Sequence, residues 1–152
     1  MCYEADATVA NGLCSACNTK LEARRTAERI NKAFEKYNDW LDKIKKQPIH
    51  PLTDEQWMEA CRYFEGCAYC GASEISARSM FIDYANGGRY CAWNIIPACE
   101  RCETCVKRDS NPFKRLDQRI NRKANSQAKL YGFSLSKLQK IVDYLETKME
   151  VK

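Results

Sequence analysis

Apolar residues recur at three- and four-residue steps from about Asn18 to Lys46, at Leu21, Ile30, Phe34, Tyr37, Leu41 and Ile44, with a charged opposite face. That period predicts one long amphipathic helix. Gln47-Pro48-Ile49-His50-Pro51 ends it, because proline lacks a backbone donor and restricts the residue before it. A second helix is predicted from Thr53, whose hydroxyl can cap free backbone N–H groups while Gln56 reaches back, to about Phe64. The pattern then changes. Residues 66–105 are rich in Cys, Gly, Tyr and Asn, and short extended stretches at Ser79 to Tyr84 and Tyr90 to Ile95 flank Asn86-Gly87-Gly88, which predicts a small β-hairpin. Beyond Asn111-Pro112 helical periodicity returns, from about Phe113 to Leu130, and Ser134 caps a last amphipathic helix through about Met149. The expected class is α+β, mainly helical, in three segments: 1–50, 51–113 and 114–152.

Composition narrows the chemistry. With 152 residues, 45% hydrophobic and 30% charged, the chain fits one globular domain or a small domain with an extension. Residues 1–13 lack the basic start and apolar run of a signal peptide, and no stretch approaches the roughly 20 apolar residues of a membrane span. The expectation is therefore a cytoplasmic protein without a membrane partner, whose ten cysteines hold metal more readily than they form disulfides. Charge is uneven: 13 basic against 15 acidic residues up to Val106, then 12 against 5 from Lys107. A basic C-terminal stretch points to nucleic acid or an acidic partner, although a solvated helix surface explains the charge as well.

Cys67-Ala68-Tyr69-Cys70 and Cys99-Glu100-Arg101-Cys102 are two Cys-x2-Cys pairs separated by 28 residues. Each can present two thiolates from one tight turn, and together they complete a tetrahedral sulfur site. Gly66 and Gly71 flank the first pair, where missing side chains let backbone amides face sulfur. Four thiolates suit zinc or iron, and nothing in the chain suggests electron transfer, so structural zinc is the expectation, with buried thiols or another metal as the alternatives. With every coordination position filled by protein, such an ion would support the fold and perform no chemistry. Cys14-Ser15-Ala16-Cys17, with Cys2 upstream, could hold a second ion if Cys61, Cys91, Cys105 or His50 supplied a further ligand; free thiols are the alternative.

The stretch Leu52 to Gly71, then Phe81-Ile82-Asp83-Tyr84, Gly87-Gly88 and Asn94-Ile95-Ile96-Pro97-Ala98-Cys99-Glu100-Arg101-Cys102, resembles the zinc-containing HNH endonucleases common in phages and mobile elements. The resemblance spans about Leu52 to Phe113. It implies a ββα-metal core that cuts DNA with a divalent ion, which the helices predicted above would flank on the N- and C-terminal sides. Asp83 would then match the first ligand and Asn94 the residue that positions the base. The general-base histidine is replaced by Tyr84, and tyrosine has a reference pKa of about 10 against about 6.5 for histidine. Glu103 stands where the family has His or Asn after the last zinc cysteine, Val106 stands where lysine is common, and the loop after Tyr84 is shorter than usual.

Asp83 and Glu103 could still hold Mg or Mn, or be ordinary polar surface. Lys107, Arg108, Lys114, Arg115, Arg119, Arg122, Lys123 and Lys129 are candidate phosphate contacts. Three functions are consistent with these features. One is a catalytically degenerate HNH-like zinc protein that binds DNA or a DNA-processing complex. The second is an active Mg- or Mn-dependent nicking endonuclease. The third is a phage-type inhibitor or regulator that grips a host nucleic-acid-processing protein through its helical arms.

Overall fold

A computed structural model of the chain describes residues 15–107, Pro112, Leu116 and 122–149, apart from the side chains of 122–125. The class is α+β and mainly helical. In order, the elements are α1 (Ser15–Ile44), α2 (Asp54–Phe64), β1 (Ala77–Met80), a short 3-10 turn (Tyr84–Asn86), β2 (Ile95–Ala98), a π-helical turn (Cys102–Val106), α3 (Arg122–Leu130) and α4 (Leu135–Thr147). The chain divides into two compact units, Met1–Lys36 and Tyr37–Lys152. The second unit therefore unites the last two turns of α1, the cysteine segment and the C-terminal helices, which the sequence had divided at residues 50 and 113. No helix among the described residues is long and apolar enough to cross a membrane.

Within the second unit, Tyr37, Trp40 and Ile44 form the buried stripe of α1, so the stripe runs through Trp40, whereas Leu41 is only partly covered and Phe34, in the first unit, is exposed. Trp40 meets Phe81 edge-on with ring centroids 5.7 Å apart. Phe133 packs on Tyr69 at 5.6 Å, and Tyr144 of α4 lies 5.0 Å from Phe64 and 4.7 Å from Tyr63 of α2. Burial pushes the Tyr144 phenol up to about 12, so this core contact stays neutral. Complete burial of one large apolar side chain stabilises by about 1.5–3 kcal/mol, and Ile95, Ile96, Leu138, Ile141 and Leu145 are all fully covered. Ion pairs Lys43–Glu146, at 2.6 Å, and Lys148–Glu59 fasten the C-terminal end of α4 to α1 and α2.

Local signals explain the element ends. The Thr53 hydroxyl accepts from the Gln56 N–H at 3.2 Å and the Gln56 side chain accepts from the Thr53 N–H at 3.0 Å, the expected capping box. Ser134 caps α4 by accepting from the Lys137 N–H. The predicted hairpin is corrected: β1 and β2 lie further apart in sequence, pairing antiparallel in the register Ala77↔Ala98 to Met80↔Ile95. Residues 81–94 are a long connection instead of strand ends around a tight turn. The cause is Asn94, fully buried, whose side-chain amide pairs with both the N–H and the carbonyl of Ile82 at 2.9 Å and donates to the Arg89 carbonyl at 3.1 Å. That side chain supplies the pairing a continued ladder would have made. Of the helix expected from Phe113 to Leu130, residues 113–115 and 117–121 lie outside the described residues.

Candidate functional site

The short sheet assembles the cysteines. The Pro97 carbonyl of β2 accepts from the Ala68 N–H at 2.8 Å, so the first Cys-x2-Cys turn hangs on the strand that runs directly into Cys99. In that first turn the Gly71 N–H bonds to the Cys67 carbonyl at 2.8 Å and the Ala72 N–H points at the Cys70 sulfur at 3.4 Å. Gly66 is obligatory here. A Cβ on it would lie 2.3 Å from the Ala72 carbonyl oxygen, the same oxygen that accepts from the Cys67 N–H. The second pair sits at the start of a helical turn, with the Glu103 N–H bonded to the Cys99 carbonyl at 3.0 Å.

Cys67, Cys70, Cys99 and Cys102 consequently have sulfurs that all lie within 4.8 Å of one another. The Cys70 and Cys99 sulfurs are 3.8 Å apart, far beyond a disulfide bond. A regular tetrahedron with metal–sulfur bonds of about 2.3 Å has edges of about 3.8 Å, so the donor set is compatible with structural zinc. Electrostatics favours a cation at its centre. A hydrogen bond from Cys102, with backbone N–H groups of Cys99, Cys70 and Tyr69 against an opposing burial effect, holds the Cys67 thiol down at about 4. That same bond to Cys67, together with burial, pushes Cys102 strongly up, and burial raises Cys99. Cys67 is thus a ready thiolate, and Cys99 and Cys102 resist ionising until positive charge offsets burial and the charge on Cys67. No other group of three or more metal-ligating side chains forms among the described residues. Cys2 and Cys14, proposed for a second ion, lie outside those residues; Cys17 is in α1.

Beside the sulfur cluster is an acid site. Asp83 precedes the 3-10 turn and Glu103 follows Cys102, and Lys107 comes between them: its Nζ lies 3.1 Å from Glu103 Oε1 and 3.9 Å from Asp83 Oδ1. The lysine side chain is 14% exposed, against 31% for Glu103 and 46% for Asp83. Glu103 Oε2 is buried and has no hydrogen-bond partner among the described residues. Two carboxylates already sharing an ammonium do not fit a divalent Mg or Mn ion as they stand, which would need several further oxygens at about 2.0–2.1 Å for Mg. Lys107 reaches this place because the turn before it is π-helical. The Lys107 N–H bonds to the Cys102 carbonyl at 2.9 Å, five residues back, and Val106 before it is buried.

Tyr84, at the position of the expected base, points outward and is 70% exposed. The Arg89 guanidinium lies 4.0 Å from its ring centroid and is itself held by the Gly88 carbonyl at 2.7 Å and the Tyr84 carbonyl at 3.4 Å. Asn94 positions the Ile82 backbone and no base. Of the candidate phosphate contacts, Lys107 is occupied by the two carboxylates and Lys129 is exposed on α3. Arg108, Lys114, Arg115 and Arg119 lie outside the described residues, as do the side chains of Arg122 and Lys123. Sequence reasoning missed Arg89 and the inward turn of Lys107. The signal for the first was its position directly after Gly87-Gly88, where a buried glycine fixes the turn.

Compared with family models, curated proteins and solved structures, the chain matches none of them.

Proposed function

We propose that this chain is a catalytically degenerate HNH-like zinc protein that binds DNA or a DNA-processing complex. In this reading Cys67, Cys70, Cys99 and Cys102 hold a structural zinc ion that fixes a ββα-metal core. The observation that carries it is the Lys107 ammonium lodged between Asp83 and Glu103, where an active nuclease would keep a divalent ion. The exposed Tyr84 supports the same conclusion, since an outward phenol paired with Arg89 is not arranged to take a proton from water. The order β1, β2 and helical turn fits the core, and the basic C-terminal segment gives such a domain a means of holding phosphate.

A plasmid-nicking assay with magnesium or manganese tests the catalytic half. The expected result is no metal-dependent nicking; nicking that disappears in Asp83→Ala would overturn the reading and restore an active endonuclease. Duplex binding measured across a salt series tests the other half. Affinity should fall steeply with salt and weaken further in the double variant Arg115→Glu plus Arg119→Glu. A second reading, an inhibitor or regulator that grips a host protein, draws on the separate unit ending at Lys36, where α1 carries exposed charges such as Arg24 and Glu28. Absence of DNA binding at low salt, together with capture of a nuclease-resistant protein partner, would favour it.

A further inference from the structure

The loop between the strands carries an aromatic ring that the fold does not use. Tyr84 is 70% exposed, yet its position is fixed: the ring rests on the Arg89 guanidinium at 4.0 Å, and that guanidinium is anchored by two backbone carbonyls of the same loop. Gly88 sets the turn that permits this, with its N–H on the Asp83 carbonyl at 3.0 Å and no room for a side chain against the Ile82 carbonyl. One face of the ring is therefore backed by a cation and the other is open to solvent. A guanidinium has five donors in a planar fork, and the two carbonyls leave others for an anion.

We infer that Tyr84, backed by Arg89, is a stacking platform for an unpaired nucleobase of single-stranded DNA, with Arg89 available to the adjoining phosphate. This rests on the DNA-binding reading above and specifies the form of DNA it selects. A base inside a duplex is covered on both faces by its neighbours and has no surface to give the ring, whereas an unpaired base stacks on any exposed aromatic plane. The anchored arginine keeps the entropic cost of ordering low, because ring and guanidinium are already in place before the base arrives.

The test compares a labelled thymidine oligomer of about twelve nucleotides with a duplex of equal length, by fluorescence anisotropy, using the full chain with zinc present. Tyr84→Ala should weaken single-strand binding by roughly five- to 150-fold, the range that loss of one base–aromatic stack produces, and should lower the ratio of single-strand to duplex affinity. Tyr84→Phe should keep both. An oligomer containing 2-aminopurine should lose fluorescence on binding the original chain and Tyr84→Phe, but not Tyr84→Ala. Because the ring is exposed, all three proteins should melt alike. Duplex binding that survives while Tyr84→Ala leaves single-strand affinity and 2-aminopurine quenching unchanged would overturn the inference and leave the DNA-binding reading standing. Failure of the original chain to bind either form would overturn both.

Discussion

Two sites share one small sheet and one helical turn, and adjacent residues, Cys102 and Glu103, belong to one each. In the sulfur site backbone groups prepare the ligands: the Ala72 N–H faces Cys70, the N–H groups of Tyr69, Cys70 and Cys99 face Cys67, and Pro97 ties the first turn to β2. In the acid site side chains meet, Lys107 with Asp83 and Glu103, and one buried carboxylate oxygen has no hydrogen-bond partner among the described residues. If the chain is a degenerate nuclease, as proposed, the contrast explains how one chemistry could be lost while the frame endured. Ligands held by backbone hydrogen bonds cannot be exchanged without rebuilding the turn, whereas a charge carried on a flexible stem can stand in for an ion and leave the fold untouched.

The comparison breaks most severely if the sulfur site is opened. Elemental analysis should find one zinc per chain. Chelation, or Cys102→Ser, should unfold the segment around β1 and β2, with a loss on the order of 10 kcal/mol in the limit where folding and metal binding are one step. Amide exchange, reported residue by residue, should show protection at Ile95, Ile96 and Ala98 collapsing first, since β2 leads directly into Cys99. A chain that lacks metal and still keeps that protection would mean the cluster is a set of buried thiols.

A smaller effect separates the two sites through their glycines. Gly66→Ala drives a Cβ to 2.3 Å from the Ala72 carbonyl, at a φ of 147° that also disfavours a side chain. Gly88→Ala drives one to 1.8 Å from the Ile82 carbonyl and 2.8 Å from the Asn94 amide. Both should destabilise, by about 3 kcal/mol as strained overpacking goes. The decisive reading is zinc affinity in a competition titration: it should drop in Gly66→Ala and hold in Gly88→Ala, whose damage is confined to the loop carrying Asp83 and Tyr84. Equal loss of zinc affinity in both would show that the sites are not independent.

The same contrast accounts for what the sequence made legible. The two Cys-x2-Cys pairs, the capping box at Thr53 and Gln56 and the cap at Ser134 are local patterns whose geometry is set by neighbouring residues, and each is found where expected. The strand ends were misplaced because Asn94, far from β1 in sequence, replaces ladder pairing with its amide; no periodicity reveals that. Trp40 was overlooked because its neighbour Leu41 fits the same period. Lys107 stands among the candidate phosphate contacts because it opens the basic stretch, and nothing in Cys102 to Val106 announces the π-helical turn that brings it to the two carboxylates. Local chemistry is written in the sequence, whereas one-residue shifts emerge only when the chain packs.

The subtlest test acts on the ammonium itself. Lys107→Ala removes the cation from two carboxylates, one of them with a buried oxygen. A buried pair broken on one side can cost 3–5 kcal/mol, but Asp83 is nearly half exposed and water would screen much of the repulsion, so about 1–2 kcal/mol is expected from chemical denaturation. The partner change shows whether that loss is the cost of stranding Glu103. In Lys107→Met with Glu103→Gln both charges at the 3.1 Å contact vanish together, and stability should return to within about 0.5 kcal/mol of the original. Magnesium should then separate the proteins: the original chain indifferent in a thermal melt, Lys107→Ala stabilised as the vacated space accepts a divalent ion, the double variant indifferent again. Stabilisation of the original chain by magnesium would mean that Lys107 yields to an ion, and the acid site would have to be counted as intact.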